Sequence, residues 1–195
     1  MHSRYSWKSY FVVLSDYQQW ANDRLFAALG GINHEFLQSP QGLFFGSIHH
    51  TVDHLMLVNR LWLARLQGEA LKVNFQEIAC PDWNQLIEAT QCQAEELKLW
   101  LDACEPDWFD GRLDFVSSEG AARSMWMRDV LTHMMNHQTH HRGQISAVIT
   151  RLGGEAPEMD YFYYKREMDG YMEIIRDDQS SSKVAQNPAD PDLAE

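Results

Sequence analysis

The chain has 195 residues, 45% of them hydrophobic, which suits one domain or two small ones with a sizeable core. Its 16 Lys and Arg stand against 28 Asp and Glu, giving a formal net charge of -12. A chain this acidic repels phosphate backbones and anionic lipid, so nucleic acid and membrane are poor partners, and it contains no apolar run of the ~18 residues a membrane span needs.

Helical periodicity dominates the chain order. Tyr10, Leu14, Tyr17, Ala21, Leu25 and Ala28 recur every three or four residues and predict a first helix that stops at Gly30-Gly31. A second runs from about Gly42 to Leu66, with Ile48, Val52, Leu55, Trp62 and Leu66 on one face and His54, Val58 and Leu61 on its neighbour. That helix is therefore expected to be buried on more than one side, and Gly68 closes it. A long connection, 69–81, lacks periodicity. Asp82, with Gln85 three residues on, then predicts a capping box opening a third helix that ends near Cys104–Pro106. Arg112–Val116 and Ala122–Met127, joined through Ser117–Gly120, read as a short β-hairpin. The last long helix spans about Trp126–Leu152 and stops at Gly153-Gly154, and a short helix is expected over Tyr161–Ile175. The expected architecture is an all-α four-helix bundle with a long crossover and a small hairpin before the last long helix, forming one domain over 1–176. Residues 177–195, polar and containing Ser180-Ser181-Ser182, read as a disordered tail.

The start of the chain, Met1–Trp7, lacks a basic stretch followed by an apolar signal core. Cys80, Cys92 and Cys104 are odd in number and never spaced C-x-x-C, so they read as reduced, buried thiols of a cytoplasmic protein.

Nine histidines are the sharpest compositional feature, and four of them, His133, His137, His140 and His141, fall in Leu131–Gln144. On a helix His137 and His141 differ by about 40° and one turn, so their imidazoles can converge on one ion. Both fall inside the apolar stripe of Val130, Met134, Ile145, Val148 and Leu152, whereas His133 and His140 lie at its polar edge. Two imidazoles in a core stripe need partners, because an unpaired buried polar group costs on the order of 1–3 kcal/mol. A metal satisfies both at once. The second helix offers a third ligand, His50 or His54, themselves four residues apart. Three neutral imidazoles leave an open position, and such ligands suit zinc, nickel, iron or copper. The competing account is that each histidine is simply hydrogen-bonded in the core, which is the commoner state of any single buried histidine.

The stretch His54-Leu55 through Trp62-Leu63-Ala64-Arg65-Leu66, followed by Asn136-His137-Gln138-Thr139-His140-His141-Arg142-Gly143-Gln144, resembles the DinB family of DinB/YfiT-like metalloenzymes. Tyr17-Gln18-Gln19-Trp20-Ala21-Asn22 resembles the family's opening segment, and the likeness extends from about Tyr10 to Tyr164. The resemblance implies a four-helix bundle, a homodimer, and a divalent metal held by His54, His137 and His141, with zinc or nickel favoured and iron third. His50 stays the rival to His54 on spacing. The resemblance also implies a small-molecule substrate, a low-molecular-weight thiol among the candidates.

The side chains around the histidines carry weaker expectations. Gly143, in mid-helix, suggests close helix approach or an exposed face, and Arg142 suggests a surface salt bridge or, less commonly, an anchor for an anionic substrate. Asp16, Asp23, Asp53 and Asp129 are candidates to orient a ligand histidine. Glu-x-x-His, H-E-x-x-H, G-x-G-x-x-G, P-loop, G-x-S-x-G and C-x-x-C-H patterns are all missing, which removes di-iron carboxylate, zinc-protease, nucleotide, hydrolase-elbow and c-type haem readings. The expected function is a metal-dependent transferase or hydrolase that activates a thiol or water, with no general base identifiable. The alternative is a non-catalytic metal-binding or ligand-sensing stress-response protein.

Overall fold

A computed structural model describes residues 6–168. Its helices are α1 (Trp7–Leu29), α2 (His34–Gln38), α3 (Ile48–Leu66), α4 (Trp83–Ala103), α5 (Met127–Arg151) and α6 (Tyr161–Met168). Between α4 and α5 lie a 3-10 turn, Pro106–Asp110, and the strands β1 (Arg112–Val116) and β2 (Ala122–Trp126). The strands pair antiparallel with Leu113 opposite Met125. The four long helices and the hairpin fall where periodicity places them, except that α3 starts late.

The helix ends follow local chemistry. Ser6 and Ser9 close a reciprocal box at the start of α1, and Asp82 Oδ1 accepts the Gln85 N–H at 2.9 Å to open α4. Helix α3 begins later than expected. Its cap is Ser47, because Gly42 and Gly46 adopt φ of +72° and +82° and fold 41–46 into a tight turn instead of a helical one. The five-residue α2 has too few positions for periodicity to show it. The end of the expected Tyr161–Ile175 helix, the boundary at 176 and the 177–195 tail lie outside the described residues.

Helix α1 packs on α4 and α5, and so does α3, which places α1 and α3 on opposite corners of a four-helix bundle. The core divides between the two ends. At one end Leu25 and Leu29 of α1 meet Ile48 and Val52 of α3, Leu86 of α4, and Ile145 and Ile149 of α5. At the other, Phe11 meets Leu63, Leu101, Phe109, Leu113, Val130 and Leu131. The C-terminus of α1 thus shares an end with the N-termini of α3 and α4 and the C-terminus of α5. Helices α3 and α4 run parallel, and the 67–82 connection must return along the bundle to reach the start of α4. This is the long crossover, and it lies beside α3. As expected, α3 is buried on several sides, with His49, Asp53, His54 and Met56 buried along with Val52 and Leu55.

Among the described residues no helix is long and apolar enough to cross a membrane. The three cysteines are free, but Cys92 is exposed and Cys80 and Cys104 are half-buried, which corrects the expectation of buried thiols. Cys92 sits on the outward face of α4, which buries Thr90 and Ala94 instead.

Candidate metal centre

Helix α3 presents His54, and α5 presents His137 and His141 one turn apart. One nitrogen from each imidazole lies within 4.8 Å of the other two, and His54 and His141 are buried while His137 is half-buried. The ring centroids of His137 and His141 are 4.5 Å apart, and that of His54 is 5.2 Å and 5.1 Å from theirs. His54 Nε2 and His137 Nε2 face each other at 3.4 Å. At metal–nitrogen distances of about 2.0–2.1 Å, the edge of a tetrahedron is about 3.3–3.4 Å. This pair is thus already spaced as two ligands of one ion.

Burial makes these groups good ligands. It lowers the pKa of His54 to about 3 and that of His137 to about 4, each helped by the neighbouring imidazoles, and it lowers His141 as well. All three are neutral at pH 7, the state in which an imidazole offers a lone pair. His141 Nδ1 meets Gln144 Oε1 at 2.8 Å. An Nδ1–H donated there leaves Nε2 free to ligate, the role a neighbouring acceptor has for metal-bound histidine. Gln144 ends the stretch that carries the family resemblance, but sequence alone gives it no role, although its place one turn beyond His141 is a readable signal. The Nδ1 atoms of His54 and His137 are buried without a hydrogen-bond partner. An ion held by the Nε2 atoms would leave these two Nδ1 atoms unpaired, so only His141 has its second ring nitrogen fixed by a neighbour. Among the described residues no fourth His, Cys, Asp or Glu joins the group.

His50 stands outside this cluster. Its Nε2 is buried and unpartnered, with its ring 5.7 Å from Phe45. His133 and His140 are exposed, as expected for the polar edge. Aromatic rings enclose the triad: Phe45 stacks on His54 at 3.8 Å and Phe75 meets it edge-on at 5.2 Å. Sequence reasoning missed both, since a phenylalanine in a turn or connection carries no periodic signal. Phe45 is held over the triad by the 41–46 turn, where Gln41 N–H donates to Gly46 O at 2.8 Å and Arg151 donates to Gln41 Oε1 at 3.1 Å.

None of the four aspartates bonds a histidine. Asp16 pairs with Lys98, Asp23 accepts from Gln91, and Asp129 is exposed in the first turn of α5. Asp53, fully buried, accepts the N–H groups of Ala79 and Cys80 at 3.1 Å and 2.8 Å, and His49 Nε2 bonds Cys80 O at 2.8 Å. Together they fasten the crossover to α3. Arg142 is likewise not a surface residue. It is 1% exposed, donates to Asn22 Oδ1 and Thr139 Oγ1, and lies over the Tyr17 ring. Burial pulls its pKa down to about 10, which keeps it charged, and it ties α5 to α1. Gly143 faces open space, so close helix approach is not its purpose.

A cavity of about 700 Å³ lies between α3, the crossover and the hairpin, and Phe75 forms part of its wall. The chain is 26% identical over 161 residues to Protein DinB of Bacillus subtilis (strain 168), an alignment covering 77% of this chain and 91% of that protein. The DinB family profile matches residues 6–177, which take in all three histidines and every long helix. The chain belongs to the DinB family.

Proposed function

We propose that this protein is a divalent-metal-dependent enzyme whose centre is formed by His54, His137 and His141. The observation that carries the reading is the convergence of three neutral imidazole nitrogens from two helices with no fourth protein ligand among the described residues. Structural zinc sites use four protein ligands, whereas catalytic ones keep three and an open position. When bound, the ion supplies Lewis acidity that lowers the pKa of a coordinated water or thiol. The chain's own part is to hold three ligands neutral, to fix His141 through Gln144, and to exclude bulk water with Phe45 and Phe75. The reaction class is transfer to or from a low-molecular-weight thiol, or hydrolysis, and zinc or nickel suits the all-imidazole set. The same reading takes the protein to be a cytoplasmic homodimer.

The test is turnover of a panel of small thiols with electrophilic acceptors, and of simple esters, by metal-loaded protein. Turnover that chelator abolishes and metal restores is the expected result. A metal-loaded protein inert across the panel would favour the non-catalytic, ligand-sensing alternative.

A further inference from the structure

We propose that the cavity beside α3 binds a small organic anion with an apolar body, whose acidic head sits on Arg65 and whose other end points toward the histidine cluster. It rests on the metal-centre reading only for the direction in which the ligand points. On a helix His54 and Arg65, eleven residues apart, differ by about 20° and lie about 16 Å apart along the axis. Val58 and Leu61 fall between them on the same stripe, so one face of α3 runs from the triad to a cation. The cavity, about 700 Å³, opens along the second half of this stripe, with walls from Leu61, Leu71, Val73, Phe75 and Phe115. That volume and apolar lining are typical of small-molecule sites. Phe75 is shared: it lines the cavity and touches His54 edge-on at 5.2 Å.

Arg65 is built into the wall. Its guanidinium lies 4.7 Å from the Trp62 ring and 5.0 Å from the Phe115 ring, and Nη2 donates to Val116 O at 3.1 Å. The aromatic bracket fixes the plane of the fork while leaving N–H donors unused. Glu69 and Asp114 also line the cavity, yet among the described residues Arg65 forms no ion pair. A preoriented guanidinium with no carboxylate in ion-pair contact, at the edge of a largely apolar cavity, selects a planar or tetrahedral monoanion carried on a hydrophobic body. Lys72, also lining but exposed, adds a diffuse positive field that salt screens.

The experiment titrates the full chain, in chelator, with 8-anilinonaphthalene-1-sulfonate and with N-phenyl-1-naphthylamine, the same body without the sulfonate. The sulfonate should bind at one site per chain and more tightly than the neutral dye. Arg65→Gln should weaken the sulfonate by about tenfold or more, the worth of a hydrogen bond to a charged group, and leave the neutral dye unchanged. Arg65→Lys should recover part of the difference, and Ala70→Trp, which fills the cavity from the exposed crossover, should weaken both dyes. Unaltered thermal midpoints establish that the variants are folded. Equal affinity for the two dyes, or a loss produced by Lys72→Gln and not by Arg65→Gln, would overturn the proposal. Because binding is read without metal, a failed metal centre leaves this result standing, and a failed anion site leaves the metal result standing.

Discussion

Asp53 is the buried charge that joins the crossover to the helix bearing the triad, and its replacement has a calculable consequence. Its two carboxylate oxygens accept the Ala79 and Cys80 N–H groups at 3.1 Å and 2.8 Å. Hydrogen bonds to charged groups contribute about 1.5–3 kcal/mol each. Ala79 is exposed and Cys80 half-buried, so their freed amides recover water and the lower end of the range applies. Asp53→Ala should then destabilise the fold by about 3 kcal/mol, and Asp53→Asn, which keeps one acceptor but sets an N–H₂ against an N–H, by about 2 kcal/mol. For a domain of this size each kcal/mol shifts the midpoint by roughly 2–4 °C, so the alanine variant should melt about 6–12 °C lower. Urea unfolding gives the free energy directly, and hydrogen exchange at the 79 and 80 amides gives the local effect. A loss below about 1 kcal/mol, or unchanged protection of those two amides, would refute the idea that Asp53 anchors the crossover.

Other expectations are open to equally direct measurement. In chelator, stability should fall as pH drops from 7.5 toward 4. The folded values of about 3 for His54 and about 4 for His137 lie below the unfolded value of 6.5, so the unfolded chain takes up protons first. Urea midpoints across that range should show a slope that flattens in the His54→Ala, His137→Ala double variant. Gln144→Leu should lower metal affinity by about 10–100-fold with little change in melting temperature, by releasing His141 Nδ1. Gly143→Ala should stabilise the protein by up to about 1 kcal/mol, because a Cβ there meets nothing within 4 Å and the site is mid-helix.

What the sequence made legible follows from how local each signal is. His137 and His141 announce themselves because they interrupt an apolar stripe on their own helix, and the stripe of α3 that carries His54 is equally periodic. The hairpin and the aperiodic crossover are readable for the same reason. Arg142 was misplaced because its burial depends on Asn22, 120 residues away, which supplies the acceptor that lets a guanidinium leave water. Asp53 likewise looked like a histidine partner, whereas its partners are backbone amides of the crossover, and amides carry no sequence signature. Phe45 and Phe75 reach His54 only because a turn and a connection fold over it. Spacing alone left His50 and His54 equivalent; the geometry around His137 separates them, with only His54 presenting a nitrogen to the cluster.

The central claim, one divalent ion held by His54, His137 and His141, is tested most directly by titrating the metal-free protein with cobalt(II) and following its visible absorption. One equivalent per chain is expected, with the signal lost in His54→Ala, His137→Ala and His141→Ala and retained in His50→Ala. Absence of stoichiometric binding, or loss in His50→Ala with retention in His54→Ala, would contradict the account.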